Sequence, residues 1–215
     1  MKGELHMLRP RVVIADDHTL VAELCKNLLE GEFSVVGIVR DGRAMVRAAA
    51  ALRPEVILVD VAMPVLNGLD AGEQVKKMWP AIKQIYLTMN SDPEVAAEAF
   101  RRGASGYLLK TCASSELVAA VRQVLRGNTY LSRTLPKGDI EYMRRQNRPE
   151  AHLTERQGEV LQLLAEGKSM KEIGDVLNIT IRTVAFHKYR MMEVLGVRTN
   201  ADLIRYAVKS HVVAA

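Results

Sequence analysis

Five side chains in this sequence could together bind and accept a phosphoryl group. Asp16, Asp17, Asp60, Thr88 and Lys110 each follow or end a short apolar run. Two carboxylates about 4 Å apart repel by roughly 4 kcal/mol at an effective dielectric of 20, so three that meet either shift their pKa values strongly or hold a hard cation. Oxygen ligands suit Mg²⁺, which would also neutralise a phosphoryl group that an aspartate accepts as a nucleophile. A hydroxyl and an ammonium beside them would complete a phosphate-shaped receptor.

These side chains meet only if the elements that carry them end at one edge of a sheet. Residues 1–126 alternate apolar runs with amphipathic or Ala-rich segments, which predicts a doubly wound parallel sheet. Sites in such sheets form at the carboxyl ends of the strands, and the run before Asp60 is typical of a strand covered on both faces. If the first and third strands are neighbours, the three aspartates come together. The predicted strands are 11–15, 35–39, 56–60, 84–88 and 106–110, and the predicted helices are 18–30, 42–52, 68–79, 93–102 and 114–126.

A simpler interpretation is that acids at strand ends cap helices, and Asp17 could cap the helix at 18–30. The convergence of Thr88 and Lys110 on the edge that carries Asp60 favours the phosphate receptor. An enzyme with Asp60 as nucleophile, such as a phosphohydrolase, is an alternative. Such enzymes typically need a second acid two residues further on, where this chain has Ala62.

Residues 153–209 have a helical pattern with four marked helix starts. The capping residues are Thr154 with Gln157, Ser169 with Glu172, Thr180 alone, and Thr199 with Asp202. A capping side chain satisfies helix N–H groups that otherwise lack partners. The second and third helices are joined by a tight turn at 178–180, which is the spacing of a helix-turn-helix. We therefore predict a compact all-α domain of four helices.

The third of these helices has a face that suits the major groove of DNA. Its core face is predicted to carry Ile181, Val184, Met191 and Leu195. The opposite face carries Arg182, Ala185, Phe186, Tyr189 and Arg190. Arginine can read guanine, and apolar groups can contact thymine methyls. A plain solvated face is the alternative, but two neighbouring exposed aromatic residues argue against it.

Charge and composition limit the other possibilities. The net charge is +5, and the excess lies in residues 126–148, with six Lys or Arg and two Asp or Glu. This favours a polyanion near that segment, although a solvated linker explains it equally well. No apolar run approaches the length of a membrane span, and no signal-peptide core follows Met1, so we expect a cytoplasmic protein without membrane contact.

Two sets of residues resemble known families. The first is similar to the receiver domain of two-component response regulators and consists of Asp16-Asp17, Asp60-x-x-Met63-Pro64-x-x-x-Gly68, Thr88, Tyr107 and Lys110. The second is similar to the LuxR-type helix-turn-helix output domain and consists of Leu153-Thr154-x-Arg156-x-x-Glu159-Val160-Leu161, Lys171-Glu172-Ile173, Thr183-Val184, His187 and Leu195-Gly196-Val197. Together they follow the order of the NarL/FixJ subfamily. The resemblance implies a flavodoxin-like receiver of five parallel strands at 8–126, a linker at 127–150 and the output domain at 151–215.

For the receiver, the resemblance implies that a sensor histidine kinase phosphorylates Asp60. Asp17 would bind Mg²⁺ directly, Asp16 would bind it through water, and the carbonyl of Ala62 would complete the protein ligands. The chain would then be a phosphorylation-controlled transcription regulator and not an enzyme. The alternative is a DNA-binding regulator with a vestigial receiver, and the complete set of site residues argues against it.

The remaining receiver residues would bind the phosphoryl group or move in response to it. Lys110 would pair with it, Thr88 would move to hydrogen-bond it, and Tyr107 would swing inward behind Thr88. Two positions depart from the common receiver pattern. Thr111 stands where many receivers have proline, so the resemblance does not determine whether the peptide bond after Lys110 is cis. Met89 stands where a small residue is usual, which would narrow the path to the site.

For the output domain, the resemblance implies a homodimer on paired half-sites of double-stranded DNA. Because Ala185 stands where lysine is common, we assign base contacts to Arg182, Phe186 and Tyr189. Phosphate contacts, which position the protein without specifying sequence, are assigned to Thr183, Lys188 and Arg190. Residues 200–209 are more apolar than one face of a small domain requires, so this helix is a candidate for pairing.

Overall fold

The computed structural model describes residues 9–89, 91–136, 138, 153–210 and 212–213. Its first part is a parallel sheet with the strand order β2-β1-β3-β4-β5-β6. The strands are β1 (Arg11–Ala15), β2 (Ser34–Val39), β3 (Val56–Asp60), β4 (Lys83–Thr88), β5 (Gly106–Leu109) and β6 (Tyr130–Leu131). The predicted α/β receiver class is confirmed, and β1 and β3 are neighbours, as the convergence of the aspartates requires.

Five helices cover the two faces of this sheet. They are α1 (Thr19–Leu29), α2 (Gly42–Leu52), α3 (Gly68–Met78), α4 (Pro93–Arg101) and α5 (Ala113–Leu125). One apolar cluster packs α1 and α5 against the sheet, and a second packs α2, α3 and α4 against its other face. Val56 and Leu58 of β3 belong to the first cluster, whereas Ile57 and Val59 belong to the second. Burial on both faces therefore explains why the sequence of β3 does not alternate.

The sheet has a sixth strand, β6, which the sequence pattern placed inside the linker. This strand pairs in parallel with β5. The buried carboxylate of Glu116 on α5 holds the segment, because it accepts hydrogen bonds from the Tyr130 hydroxyl at 3.2 Å, the Ser132 hydroxyl at 3.1 Å and the Arg133 amide at 3.4 Å. A buried carboxylate needs such partners. The sequence also allows a short helix at 140–146 within the linker, but this segment lies outside the described residues.

The second part is the predicted four-helix domain. Its helices are α6 (Glu155–Ala165), α7 (Met170–Leu177), α8 (Ile181–Leu195) and α9 (Asn200–Lys209). Both capping boxes are formed: the side chains of Gln157 and Glu172 accept from the backbone N–H of Thr154 and Ser169, respectively, at 2.8 Å. Thr180 and Thr199 cap α8 and α9 through their side chains. The four helices enclose one apolar core.

The turn between α7 and α8 confirms the helix-turn-helix. Asn178 ends α7 in the left-handed conformation, with φ of 54°. The chain then passes so close to α7 that a Cβ on Gly174 would lie 2.8 Å from the carbonyl oxygen of Ile179. Only glycine leaves room for this approach, so Gly174 sets how α8 leaves the turn.

One position on α8 differs from the predicted core face. Val184 and Met191 are fully buried and Leu195 is half-buried, but Ile181 is 49% exposed. The prediction for Ile181 is wrong because this residue occupies the first turn of α8, at the edge of the four-helix core. Within the described ranges, no helix is long and apolar enough to cross a membrane.

Candidate functional site

Three aspartates meet at the carboxyl edge of the sheet. Asp16 follows β1 and Asp60 ends β3, and the parallel pairing of these strands brings their ends side by side. Asp16 and Asp60 are 2% and 3% exposed, whereas the Asp17 side chain is 34% exposed. Ligand atoms of these three residues and of His18 all lie within 4.8 Å of one another. The carboxylate oxygens of the three aspartates fit a small hard cation such as Mg²⁺.

Lys110 reaches this cluster from the end of β5. Its Nζ lies 2.8 Å from Asp60 Oδ2 and 2.9 Å from Asp16 Oδ2, and its side chain is 7% exposed. Burial raises the pKa of Asp60, and the hydrogen bond from Lys110 opposes that rise. Burial works to lower the pKa of Lys110, but hydrogen bonds to Asp16 and Asp60 outweigh it and raise the pKa above its ordinary value. The ammonium is therefore held charged between two buried carboxylates.

His18 belongs to this cluster and was missed in the sequence. Its Nδ1 lies 2.9 Å from Asp17 Oδ1, 3.3 Å from Asp16 Oδ1 and 3.8 Å from Asp60 Oδ2. The only sequence signal is that His18 directly follows Asp17. It occupies the N-cap position of α1 without a side-chain capping bond, so the alternative in which Asp17 caps this helix is wrong.

Thr88 and Tyr107 lie beside the cluster on adjacent strands. Thr88 ends β4 and is 4% exposed, and Tyr107 on β5 is fully buried. Their side chains are hydrogen-bonded to each other, and burial raises the pKa of the Tyr107 hydroxyl. The tyrosine ring thus already lies in the inward position that the resemblance assigns to it. A shift of Thr88 toward Asp60 would act directly on this ring.

The loop between β3 and α3, residues 61–67, follows Asp60 directly. The amide nitrogen of Ala62 lies 3.5 Å from Asp60 Oδ1, at the limit of a hydrogen bond. A Cβ on Gly68 would lie 2.0 Å from the carbonyl oxygen of Asp60, so glycine is required there. No peptide bond between described residues is cis, which includes the bond from Lys110 to Thr111. Met89, which was expected to narrow the path to the site, is 70% exposed.

The face of α8 assigned to DNA is largely open. Arg182, Phe186, Tyr189 and Arg190 are exposed, and Thr183, Ala185 and Lys188 are half-buried. The Phe186 ring packs edge-on against His187 at 5.6 Å between centroids. Lys188 Nζ lies 5.6 Å from the centre of the Tyr189 ring, and Arg190 pairs with Glu193. The exposed Phe186, Tyr189 and Arg190 therefore lie on one accessible side of α8, whereas Lys188 is half-buried.

Comparisons with known proteins agree with this architecture. Residues 12–122 match the family of response regulator receiver domains, and residues 151–207 match the luxR family of bacterial regulatory proteins. The oxygen regulatory protein NreC of Staphylococcus aureus is 32% identical over 210 residues, which cover 93% of this chain and 97% of NreC.

Solved structures give the same result. The RcsB response regulator of Salmonella typhimurium is 28% identical with a TM-score of 0.62, and the match covers 93% of this chain and 97% of RcsB. RcsB bound to the promoter P1flhDC with the phosphomimetic BeF3- matches with a TM-score of 0.60 at 28% identity, over 92% of this chain and 98% of that one.

The fold and the acidic site define a two-domain response regulator. The chain belongs to the family that joins a receiver to a LuxR-type DNA-binding domain, as the sequence predicted. It is a transcription regulator controlled by phosphorylation and not an enzyme.

Proposed function

We propose that Asp60 is the phosphoacceptor and that a sensor histidine kinase phosphorylates it. The observation that carries this proposal is the pairing of the buried Asp60 carboxylate with Lys110 Nζ at 2.8 Å, beside two further aspartates. In the transfer, an oxygen of Asp60 forms a bond to phosphorus while the bond from phosphorus to the kinase histidine breaks. Lys110 then remains within reach of the phosphoryl oxygens, as a charged donor for them.

Asp16, Asp17, Asp60 and the carbonyl of Ala62 would hold Mg²⁺, which supplies positive charge against the phosphoryl oxygens. The chain's own residues prepare this site. Burial keeps Asp16 and Asp60 away from water, and Asp17, which directly follows Asp16, places a third carboxylate on the exposed side of the cluster. His18 lies on the same exposed side, where its imidazole contacts Asp17.

Thr88 and Tyr107 would carry the signal away from Asp60. A phosphoryl group can shift the domain only through contacts that differ between two states, and the Thr88 hydroxyl can supply such a contact. Because Tyr107 is hydrogen-bonded to Thr88 and buried in the apolar cluster that includes α4, movement of Thr88 changes the packing at the edge of the sheet.

The output would be binding of a homodimer to paired half-sites of double-stranded DNA in the cytoplasm, where its DNA target lies. We assign base contacts to Arg182, Phe186 and Tyr189. We assign phosphate contacts to Thr183, Lys188 and Arg190, and Ala185 would lie among them on the DNA-facing side. On α9, Leu203 and Ala207 belong to the core, whereas Ile204 is 41% exposed and is left for pairing.

Intact mass measurement with acetyl phosphate and Mg²⁺ tests the proposal. The parent should gain one acid-labile phosphoryl group, Asp60→Asn should gain none, and the control Asp175→Asn at an exposed acid should gain one. Equal labelling of Asp60→Asn contradicts the assignment. A parent that takes no label supports the vestigial receiver, and release of many phosphates per chain supports the phosphohydrolase.

A further inference from the structure

His18 turns an exposed side chain back onto the acidic cluster. Its backbone amide donates to Asp16 Oδ1 at 2.9 Å, so a buried carboxylate fixes the position of this residue. The imidazole is 64% exposed, yet Nδ1 lies 2.9 Å from Asp17 Oδ1, 3.3 Å from Asp16 Oδ1 and 3.8 Å from Asp60 Oδ2. An exposed ring can satisfy both of its nitrogen atoms with water. The direction of this ring is therefore set by the carboxylates.

The distances around Nδ1 of His18 are those of ligands that share one metal ion. At metal–ligand distances of about 2.1 Å, neighbouring ligand atoms of a six-coordinate ion lie about 3 Å apart and opposite ones about 4 Å apart. Nδ1 lies 2.9 and 3.3 Å from two carboxylate oxygens, as neighbouring ligands do, and 3.8 Å from a third, which is nearer the separation of opposite ligands. The nitrogen therefore fits the same coordination sphere as the oxygens.

One oxygen of this cluster is not satisfied by hydrogen bonds. Asp17 Oδ1 is a buried atom, and among the described residues no donor has hydrogen-bonding geometry toward it. This includes Nδ1 of His18, although only 2.9 Å separates the two atoms. A buried polar atom without a donor needs an explanation, and a bound ion is one. A cation between Asp17 Oδ1 and His18 Nδ1 would satisfy both atoms, because each can offer it a lone pair.

A simpler interpretation is that His18 only begins a helix. It occupies the N-cap position of α1, but its side chain makes no capping hydrogen bond. Histidine is also not among the residues preferred at this position, where serine, threonine, aspartate and asparagine satisfy the first N–H groups. The start of α1 therefore does not explain the direction of the imidazole, and the position tolerates asparagine as a test substitution.

A nitrogen ligand changes which ions this site prefers. Carboxylates suit hard ions such as Mg²⁺, which keeps several of its waters, whereas imidazole suits the later transition metals. We propose that His18 binds the cation through Nδ1 and makes the site favour divalent transition-metal ions more than its carboxylates alone would. Binding through Nδ1 places the ring proton on Nε2. The inference rests on the proposed cation site and adds a ligand to its set of Asp16, Asp17, Asp60 and Ala62.

Calorimetric titration of the full chain with Mg²⁺, Mn²⁺ and Co²⁺ tests the preference. Asp17→Asn removes a carboxylate charge and identifies the site, because it should weaken all three ions there. In His18→Asn the dissociation constant for Co²⁺ at this site should rise at least about ten-fold, the lower end of what losing even an outer-shell partner costs. The constant for Mn²⁺ should rise less, and that for Mg²⁺ should stay within about three-fold, since water can replace the nitrogen. The matched control His187→Asn, on α8, should leave all three constants unchanged.

Pulsed electron paramagnetic resonance identifies the ligand directly. Mn²⁺ bound to the parent should show the echo modulation of a directly bound nitrogen nucleus, which should disappear in His18→Asn and persist in His187→Asn. Bound Mn²⁺ without this modulation, or a Co²⁺ constant in His18→Asn equal to the parent's, overturns the inference while the aspartate site stands. An Asp17→Asn chain that binds all three ions as tightly as the parent overturns the proposed cation site and the inference with it.

Discussion

Replacing Lys110 by methionine should destabilise the receiver strongly in the absence of divalent cations. The lysine ammonium contacts Asp60 at 2.8 Å and Asp16 at 2.9 Å, and the side chain is 7% exposed. Methionine has a similar length, so the apolar packing of the chain is largely kept. What is lost is the positive charge between two carboxylates that stay buried.

The magnitude follows from two estimates. Breaking a buried ion pair by removing one partner costs about 3–5 kcal/mol. Independently, carboxylate oxygens within 4.8 Å of one another repel by roughly 3–4 kcal/mol at an effective dielectric of 20. We therefore expect the free energy of unfolding of the receiver to fall by about 3–5 kcal/mol. Adding Asp16→Asn should recover much of this loss, and so should Mg²⁺, because each reduces the repulsion.

The chain offers a clean assay for this change. Trp79 is the only tryptophan, and it lies at the end of α3, packed against the receiver core. Its fluorescence in a urea titration with EDTA therefore reports unfolding of the receiver. Lys26→Met is the matched control, since the ion pairs that this lysine forms with described residues are surface pairs near 4 Å, and the change should alter stability by less than about 1 kcal/mol. A loss in Lys110→Met no larger than in this control, or no recovery with Asp16→Asn, would refute the reasoning.

Three further predictions follow from the switch, the DNA face and the helix-turn-helix. Thr88→Ala should still label with phosphodonor but lose most of the resulting gain in DNA affinity, and a full gain in a binding titration counts against Thr88 as the switch. Tyr189→Ala should relax discrimination between bases by about 1–3 kcal/mol, whereas Lys188→Ala should weaken all sequences alike and lower the salt slope by about 1. Titrations on a selected site and its point variants at two salt concentrations check both, and an unchanged base preference in Tyr189→Ala places that ring off the bases. Gly174→Ala should destabilise the output domain by about 1–3 kcal/mol, because its Cβ would lie 2.8 Å from the Ile179 carbonyl oxygen; an unchanged thermal midpoint for that domain shows that the turn can shift.

The elements and most of the acidic cluster could be predicted from the sequence because local rules determine them. The bounds of β1 and β3 match the predicted ones, and the rule that sites form at the carboxyl ends of parallel strands brought Asp16 and Asp60 together. The capping residues Thr154 and Ser169 marked the starts of α6 and α7 correctly, since a cap is formed by groups three residues apart.

The features that the sequence did not reveal depend on contacts between distant residues. The carboxylate of Glu116 holds the β6 segment through hydrogen bonds to residues 14 to 17 positions further along the chain. No local sequence pattern marks Glu116 as a buried residue. His18 belongs to the acidic cluster because its exposed side chain points toward Asp16 and Asp17, and a sequence pattern does not determine that direction. Gln162 binds Met63 across 99 positions, and periodicity within α6 cannot say which helix or loop its polar face will meet. Ile181 was misplaced because a helical projection takes no account of where the core ends.

The central claim is that the phosphorylation state of Asp60 controls the binding of DNA through α8. The most direct test is the affinity of the full chain for one DNA site, selected from random sequence with the phosphorylated protein, before and after treatment with acetyl phosphate and Mg²⁺. We predict tighter binding after treatment, with two chains per DNA on half-sites related by a two-fold axis, and no change in Asp60→Asn. Equal affinities before and after labelling of Asp60, or the same gain in Asp60→Asn, would contradict the account.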